Sequence, residues 1–538
     1  MNEESFDYIV VGSGSSGAAL AARLSHSGRH TVLLLEAGED DRWTWLRIPA
    51  GVAYILRSQR SIWRFQTEPE STLKNRSIFW PRGKVLGGSS GINGMIWVHG
   101  DPQEYDNWSQ RLGLSGWSYA DLKPYFQKAE TYDRGAPGTR GTNGPVKISQ
   151  YGPVHPMMNA FLGACEQAGI SRNPDYNSGT YSGAGILQFN VEHGLRCSTR
   201  EAYLRDTGTR SNLNIRCGAL VQRVIFKEKV AVGVEYIKQG QLRKVQARCE
   251  VILCAGAIQS PQLLELSGIG QPELLQSHGI DVVQPLAAVG ENLRDHLYTR
   301  ISYECKGVET LNQLYPSLYG KFQMALRFML ARNGLMSNCG QIAHALVRTN
   351  PDDPQADAKI QLHWLSSPDA RDPKRYVLDE YPGITIGTFP LRPKSSGSVH
   401  IKSRDVSVAP AIHANYLSHE ADQRTAIAAM QMARKILNQS AMNPWVVKET
   451  RPGIGRQSDE QLLEWARESG TTSYHPIGSC RMGSDAESVV DGELRVRGVK
   501  GLRVADCSIF PTMCSSNTNA PAIALGEKAG DLILSDRA

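Results

Sequence analysis

A glycine-rich turn between two apolar runs, near the start of the chain, constrains the fold more than any other feature. Residues 8–11 and 31–35 are short apolar runs of the kind found in buried strands. Gly12, Gly14 and Gly17 follow the first run, and good helix formers come directly after them. The order strand, tight turn, helix and strand predicts one βαβ unit, the opening unit of a doubly wound parallel sheet.

The spacing of the three glycines predicts a dinucleotide site. Gly12 permits the tight turn, Gly14 lets a pyrophosphate approach the backbone, and Gly17 lets helix and strand pack closely. The helix opens directly after the glycines, and its N-terminal N–H groups and positive dipole end suit phosphates. The alternative is a glycine-rich turn in an ordinary α/β core.

An acidic residue closes this unit. Glu36 follows Gly17 by about twenty positions, where its carboxylate can accept hydrogen bonds from an adenosine ribose. A dinucleotide is therefore expected here, and these residues leave open whether it is NAD or FAD.

Composition limits the classes of function. At 538 residues the chain is too long for one simple core, so we expect two domains. A net charge of +6 without a Lys/Arg-rich run does not indicate nucleic-acid binding, and weak contact with an anionic surface stays open. There is no signal-peptide pattern, no stretch approaches the roughly 20 apolar residues that span a bilayer, and the ten cysteines are scattered. We expect a cytoplasmic protein with reduced thiols.

Three later stretches carry further structural signals. Residues 81–95 form a second glycine-rich stretch, and residues 212–236 alternate as in an antiparallel meander. Residues 251–257 read as a central parallel strand because their apolar run is continuous. Residues 300–470 lack such a glycine signature and mix strands with helix-like segments at 318–330 and 420–437.

The expected fold class is α/β, with a Rossmann-like domain and a second α+β domain built on an antiparallel sheet. The Rossmann-like domain is expected from residues 1–155, 196–300 and 473–538, and the second domain from residues 156–195 and 301–472.

Four blocks, in order along the chain, resemble the glucose–methanol–choline (GMC) oxidoreductases, a family of FAD-dependent enzymes that act on alcohols. They are the opening βαβ unit, residues 83–93 (GKVLGGSSGIN), residues 256–270 (GAIQSPQLLELSGIG), and the C-terminal pair of residues 474–483 (YHPIGSCRMG) and 505–531. The resemblance spans essentially the whole chain. Within the family the chain looks most like the choline-dehydrogenase-like and primary alcohol dehydrogenase branch. The resemblance implies that the dinucleotide is FAD.

The resemblance also implies which residues contact FAD. Gly88 and Ser89 offer backbone and hydroxyl donors, and the family places this segment along the flavin. Asp506 would contact the ribityl or pyrophosphate region, with a capping role as the alternative. Val221 would contact the adenine, with plain core as the alternative. The implied set is Gly12, Gly14, Ser15, Ser16, Gly17, Glu36, Ala37, Arg82, Gly88, Ser89, Asn93, Gly94, Met95, Val221, Ala255, Asp506, Cys507, Asn517 and Thr518.

The flavin is expected to be held without a covalent bond. Some members of the family carry a histidine in the second block that bonds to the flavin, and the matching position here is Ile92, which cannot. Acid or heat should therefore release the flavin, and flavin remaining on the denatured chain would refute this. No cluster of zinc, iron or magnesium ligands is found in the sequence, so no metal is expected.

The family further implies a catalytic pair. Pro476 keeps the preceding backbone out of the α region, which sets the direction of the His475 imidazole. The matching histidine of the family faces the flavin N5, and a neutral imidazole can accept the proton of an alcohol. Asn519 is assigned to the second catalytic position, where it would hold the alkoxide. Asn517 and Thr518 are assigned to flavin contacts or a turn.

Two other histidines and three aromatic residues complete the expectations. His296 is expected to be structural, near the crossover between the domains, and His99 could approach the active-site entrance. Choline would need an aromatic or acidic cage for its ammonium group. The candidate cage residues are Trp63, Tyr474 and Trp364.

The expected reaction is FAD-dependent oxidation of a primary alcohol to the aldehyde. His475 would take the proton, flavin N5 the hydride, and Asn519 would hold the alkoxide. The open alternatives are an oxidase that passes electrons to O2, a choline dehydrogenase and, more remotely, a flavin-containing lyase. The substrate alcohol, the electron acceptor (a quinone, another carrier or O2), peripheral membrane contact and the oligomeric state stay open.

Overall fold

Two seven-stranded sheets organise the molecule. A computed structural model describes residues 4–150, 155–205, 210–368 and 377–536. The expected α/β class, with a Rossmann-like part and a second antiparallel sheet, is confirmed. Among the described residues, no helix combines the length and the apolar character needed to cross a bilayer.

The first sheet is built around the opening strand, whose four apolar residues from 8 to 11 are buried. Its neighbours pair with it in parallel, whereas the strands at the far edge form an antiparallel hairpin. In spatial order the strands are Leu213–Arg216, Val32–Leu35, Ser5–Val11, Gln241–Leu253, Val230–Lys238 and Ala219–Lys227, with Leu502–Val504 also paired to Gln241–Leu253.

The predicted meander over residues 212–236 is only partly right. The strands Ala219–Lys227 and Val230–Lys238 do form an antiparallel pair. The strand Leu213–Arg216 instead pairs in parallel with Val32–Leu35, at the opposite edge of the sheet. Alternation along a chain reports which face of a strand is buried and carries no information about its partner, so the sequence did not reveal this.

The second sheet is antiparallel throughout. In spatial order its strands are Val446–Arg451, Leu297–Cys305, Gly383–Pro390, Ala358–His363, Gln341–Val347 and Gly183–Ile186, with Thr471–Thr472 also paired to Leu297–Cys305. These strands come from the two segments expected for the second domain, except that Leu297–Cys305 crosses the expected boundary at residue 300.

Alternation along one strand of this sheet, Ala358–His363, separates a core face from a polar face. Ile360 lies in the core on the side covered by helices. Lys359, Gln361 and His363 point to the other side. A strand with two buried faces, one of them polar, marks the wall of a site rather than plain core.

Helices cover both sheets. The α-helices are Ser15–Ser25, Thr44–Arg47, Val52–Arg57, Pro102–Gln110, Tyr119–Ala129, Pro156–Gln167, Gly256–Leu266, Pro272–Ser277, Leu311–Leu314, Leu318–Ala331, Glu420–Leu437, Asp459–Ser469 and Asn519–Ser535. The helical turns are Pro49–Gly51, Ser71–Leu73, Gly88–Gly91, Leu335–Ser337, Cys507–Ile509 and the π-helical Arg200–Leu204. The predicted helices at 318–330 and 420–437 are present.

Short two-stranded ribbons make the remaining connections. They are Ile62–Gln66 with Phe79–Gly83, Glu130–Thr131 with Val146–Lys147, Ser149–Gln150 with Gln188–Phe189, Val191–Glu192 with Leu195–Arg196, Ile269–Gly270 with Gln284–Pro285, and Ser398–His400 with Ala411–His413.

Candidate active site

A cavity of about 360 Å³ lies between the carboxyl ends of the first-sheet strands and the polar face of the second sheet. Such a crevice is where α/β folds bind their ligands. Of the residues that the sequence assigned to the cofactor, all but Gly17 line it: Gly12, Gly14, Ser15, Ser16, Glu36, Ala37, Arg82, Gly88, Ser89, Asn93, Gly94, Met95, Val221, Ala255, Asp506, Cys507, Asn517 and Thr518. His475 and Asn519 line it too.

The three glycines of the opening turn have different surroundings. Gly12 has φ of +98°, and a Cβ there would lie 2.5 Å from the carbonyl oxygen of Cys254. A Cβ on Gly17 would lie 2.0 Å from the Gly12 oxygen, so Gly17 packs helix against strand and does not reach the cavity. A Cβ on Gly14 would face open space. A Cβ on Gly88 would lie 2.6 Å from the Cα of Gly14. The two glycine-rich stretches therefore touch.

Glu36 is held by the turn that it closes. Its carboxylate accepts hydrogen bonds from the Ser13 backbone and hydroxyl, at 3.0 and 2.6 Å, and from the Gly38 N–H at 2.8 Å. Burial raises the pKa of the Glu36 carboxyl, and the bonds from Ser13 and Gly38 oppose this. The sequence did not single out Ser13, which also accepts from the Gly87 N–H and so links the two glycine-rich stretches.

Asp506 has the capping role that was weighed as its alternative. One carboxylate oxygen accepts from the Ser508 N–H at 2.8 Å, and the other accepts from the Gly256 N–H at 2.8 Å and the Ser260 hydroxyl at 2.5 Å. The carboxylate thereby joins the beginnings of two helical segments at the cavity wall. Burial raises the pKa of Asp506, opposed mainly by the bond from Ser260.

The second glycine-rich stretch is tied to the catalytic end of the cavity. The Arg82 guanidinium donates to the Ser89 hydroxyl at 3.2 Å and to the backbone oxygen of Tyr474 at 3.1 Å. The Asn93 side chain accepts from the Met95 N–H at 3.0 Å, which supports a left-handed φ of +62° at Met95. A non-glycine residue in this region is costly, and such residues cluster at functional sites.

Asn519 begins the C-terminal helix Asn519–Ser535. Its Oδ1 accepts from the Ser15 hydroxyl at 2.7 Å, so it ties this helix to the helix Ser15–Ser25. Its Nδ2 is buried and finds no partner among the described residues. An orphaned donor is costly, and beside two helix N-termini it fits a phosphate-bearing cofactor. The residues present thus fit FAD.

A buried carboxylate, that of Asp295, accepts hydrogen bonds from the backbone around His475. The Asp295 side chain accepts from the His475 N–H at 2.7 Å and from the Thr472 hydroxyl at 2.6 Å. Thr472 also accepts from the Tyr474 N–H at 2.7 Å, where Tyr474 has a left-handed φ of +66°. The strained backbone of the preceding Tyr474 and the bond to Asp295 therefore fix the backbone from which the His475 imidazole extends.

His296 contacts His475 directly, although the sequence suggested a structural role away from the site. The two Nδ1 atoms are 3.0 Å apart, and His296 Nε2 lies 3.0 Å from the carbonyl oxygen of Leu391. Because a carbonyl only accepts, His296 Nε2 carries the proton and its Nδ1 accepts from His475 Nδ1. The Nε2 of His475 is then unprotonated, and its lone pair can accept a hydrogen bond. Their separation of 179 residues concealed this pair.

On its other side, His475 meets Asn517. The Nδ2 of Asn517 lies 2.9 Å from His475 Nε2, and Oδ1 accepts from the ammonium of Lys359 at 2.8 Å. Because His475 carries its proton on Nδ1, its Nε2 can only accept, so the amide must present Nδ2 to His475 and Oδ1 to Lys359. All of these hydrogen bonds agree on one arrangement of protons, with a neutral His475 that accepts at Nε2.

The assignment of Asn519 as the partner of His475 therefore needs correction. Asn517, two positions earlier, makes the contact, whereas Asn519 has turned into the helix and toward Ser15. Two asparagines so close in sequence cannot be told apart by residue type. The helix begins between them and sends their side chains to different partners.

Burial controls the protonation of the pair. It lowers the pKa of His475 well below its ordinary value, and the nearby His296, Lys359 and Arg82 lower it further. Burial also lowers the pKa of His296 to about 3 and that of Lys359 to about 7. A neutral imidazole at physiological pH is the form that can accept a proton.

The far wall of the cavity is the polar face of the second sheet. Among the described residues that line the cavity, the carboxylates are Glu36 and Asp506. Both lie at the first sheet and already accept hydrogen bonds from backbone N–H groups there. The second-sheet wall instead carries an arginine. Its lining residues are Tyr298, Arg300, Cys339, Gln341, Gln361 and His363.

His99 does not approach this cavity. It is buried, lies 3.1 Å from the Glu130 carboxylate, and stacks on Phe126. Of the three aromatic residues proposed as an ammonium cage, Trp63 and Tyr474 line the cavity. Trp364 packs edge-on against His155 instead and is absent from the cavity lining that the structure describes.

Together, a dinucleotide cradle facing a histidine–asparagine pair defines the class of protein as a dinucleotide-dependent oxidoreductase. Two family models, both described as GMC oxidoreductase, match residues 6–298 and 393–526. The chain belongs to the GMC oxidoreductase family, and it is an FAD-dependent oxidoreductase acting on CH–OH donors. The FAD expectation is thereby confirmed.

Individual relatives agree along the whole chain. An oxygen-dependent choline dehydrogenase of Photobacterium profundum is 40% identical over 536 residues, covering 98% of this chain and 93% of that protein. One from Escherichia coli is 41% identical, covering 98% and 95%. Among solved structures, pyridoxine 4-oxidase from Mesorbium loti is 27% identical with a TM-score of 0.88, covering 98% of each chain. A formate oxidase, at 23% identity and a TM-score of 0.91 over 100% of this chain and 99% of that one, shares the fold.

Proposed function

We propose that this protein oxidises a primary alcohol to the aldehyde, with His475 as the proton acceptor and Asn517 as the donor that holds the oxygen. The observation that carries this is the contact of 2.9 Å between His475 Nε2 and Asn517 Nδ2 at the cavity wall. FAD, when bound, supplies the flavin N5 that accepts the hydride from the carbinol carbon.

The pair can act on a hydroxyl group in two ways at once. A substrate hydroxyl at this point would replace the hydrogen bond between Asn517 Nδ2 and His475 Nε2, donating to His475 Nε2 and accepting from Asn517 Nδ2. As the proton moves to Nε2, the negative charge that develops on oxygen is stabilised by the amide N–H group. His475 keeps the proton on Nδ1 and donates it in a hydrogen bond to His296 Nδ1. This bond keeps the new imidazolium oriented.

The cofactor would lie along the cavity with its two ends at different segments. The turn containing Gly14 and Ser15 would hold the pyrophosphate with backbone N–H groups, and Glu36 would face the adenosine ribose. Arg82 and Asn93 would contact the flavin end, which places it against His475. Ile92, which stands where some relatives have a flavin-bonding histidine, lines the cavity and has no atom that could bond to the flavin. This supports non-covalent binding, which stays a prediction.

We do not assign choline as the substrate, although two of the relatives above carry choline in their names. A quaternary ammonium group needs a carboxylate or a free aromatic face. The Lys84 ammonium already lies 4.2 Å from the ring centroid of Trp63, and the Arg300 guanidinium lies 4.8 Å from that of Tyr298. Tyr474 is then the tyrosine or tryptophan of the described lining that has no such cation over it, and one ring does not make a cage. We therefore infer that neutral or anionic alcohols are better substrates than choline.

The electron acceptor stays open between O2 and a carrier such as a quinone. Hydrogen peroxide formed in step with substrate turnover would decide for an oxidase. A lyase reaction would leave the flavin oxidised throughout, so loss of flavin absorbance separates it from alcohol oxidation.

The test of the proposed function is anaerobic reduction of the bound flavin. The purified flavoprotein is mixed with primary aliphatic, aromatic, sugar, hydroxy-acid and quaternary-ammonium alcohols, and the visible flavin absorbance is followed. We expect bleaching by at least one primary alcohol, with one aldehyde formed per flavin reduced. Absence of bleaching with every alcohol of the panel would overturn the proposal.

A further inference from the structure

The helix Leu318–Ala331 presents an apolar face to solvent. Fourteen large apolar side chains are exposed among the described residues, and six of them lie on this one helix. Scattered exposed apolar side chains are normal, but a contiguous patch marks an interaction surface. The six residues, which we call the apolar face, are Leu318 (84% exposed), Tyr319 (69%), Phe322 (60%), Leu326 (38%), Met329 (64%) and Leu330 (78%).

The apolar face occupies one side of the helix. At about 100° per residue, its six side chains fall within an arc of roughly 120°. The opposite side is the one that packs on the protein, because Gly320 and Phe328 are buried there. Lys321 and Arg327 fall about 60° outside the arc, one on each side, and both are exposed.

All charged side chains in the stretch of chain that carries the apolar face are positive. No aspartate or glutamate occurs between Glu309 and Asp352. Within that stretch, the helix carries Lys321 and Arg327, and Arg332 follows at its C-terminal end. An apolar arc flanked by cations is the pattern of helices that lie in a membrane interface.

We propose that the apolar face inserts into the headgroup region of an anionic lipid surface. The six apolar side chains would be buried among the lipids, while the Lys321 and Arg327 side chains extend outward to contact anionic headgroups. A second copy of this chain is the poorer occupant. It would bring the same cations together without a carboxylate from this stretch to pair with them.

The lipid-facing helix is close to the active-site wall. The Tyr315 hydroxyl, just before the helix, lies 3.3 Å from the hydroxyl of Tyr54. Tyr54 belongs to the helix Val52–Arg57, which lines the cavity. Beyond the apolar face, the chain turns and reaches Cys339, which lines the cavity as well. Membrane binding would therefore bring the cavity wall close to lipid-dissolved molecules.

Vesicle co-sedimentation of the flavin-loaded protein tests this proposal. The probes are vesicles of equimolar phosphatidylglycerol and phosphatidylcholine, with vesicles of pure phosphatidylcholine beside them. The variant Leu318→Ser/Phe322→Ser/Met329→Ser removes apolar surface without touching the core. We expect the wild type to bind the anionic vesicles, more weakly at high salt, and this variant to bind them at least about tenfold less.

A matched control and a second variant separate the causes. Ile454→Ser removes an apolar side chain that is 76% exposed elsewhere, and should bind like the wild type. Lys321→Gln/Arg327→Gln should lose the preference for phosphatidylglycerol. Flavin content and melting temperature should stay unchanged in all variants, because these residues are exposed.

Three outcomes would overturn the proposal. The wild type could stay in the supernatant with both kinds of vesicle. The triple variant could bind as the wild type does. Light scattering could show a dimer that the triple variant breaks, which would make a second copy the occupant of the apolar face.

Discussion

At the residue scale, His475 is the centre of a chain of hydrogen bonds that runs from the Lys359 ammonium to the Leu391 carbonyl. The Leu391 end has one possible role, since a carbonyl only accepts, and this fixes the direction of each hydrogen bond along the chain. The sequence could indicate His475 because Pro476 and the surrounding block are local. It could not indicate His296 or Lys359, because tertiary packing alone brings them to the site.

Substitution of the two neighbouring asparagines should separate their roles. Asn517→Ala removes the N–H group that we assign to the developing alkoxide, so flavin reduction should fall by about 10²- to 10³-fold with FAD retained. Asn519→Ala removes the bond to Ser15 at the cofactor cradle, so it should lower FAD retention instead. Stopped-flow reduction and flavin-to-protein ratio measure the two effects. Equal rate losses at full FAD occupancy would contradict this division.

At the element scale, the strand Ala358–His363 shows how one piece of secondary structure serves both core and site. Its backbone pairs with Gln341–Val347 on one side and with Gly383–Pro390 on the other. The sequence could not indicate that Lys359 would be buried, because lysine in a strand is ordinarily on a solvated face. Only the packing of the C-terminal segment across this sheet encloses the ammonium, against Asn517.

A buried lysine has a measurable effect on stability. The pKa of Lys359 falls from 10.5 to about 7 through burial, so between these values the unfolded chain binds a proton that the folded chain does not. The cost of this group to stability is full below pH 7 and shrinks as the pH rises to about 10.5. The melting temperature of flavin-loaded Lys359→Met should exceed that of the wild type at pH 7, and the difference between the two should shrink toward pH 10.

The control for that comparison is Lys500→Met, since Lys500 is exposed. Its melting temperature should follow the wild type at every pH. In Lys359→Met, the alcohol should also reduce the bound flavin about tenfold more slowly, because Lys359 no longer holds the amide of Asn517. A gap in melting temperature that is constant with pH would contradict burial of the charge.

At the scale of the whole molecule, the cofactor joins segments that are far apart in sequence. The opening turn, the second glycine-rich stretch and the C-terminal segment were each recognisable, and all line one cavity. The α/β class and FAD could therefore be predicted. The substrate wall could not, because Tyr298, Arg300 and Gln341 meet only through strand pairing in the second sheet. Spacing along the chain carries no trace of that pairing.

The most direct test of the central claim is anaerobic flavin reduction by His475→Ala, compared with His413→Ala, which replaces an exposed histidine. The account predicts that His475→Ala keeps its FAD and its melting temperature but reduces the flavin about 10²- to 10⁴-fold more slowly with a primary alcohol. His413→Ala should match the wild type. A near-normal rate in His475→Ala would contradict the assignment of the proton acceptor.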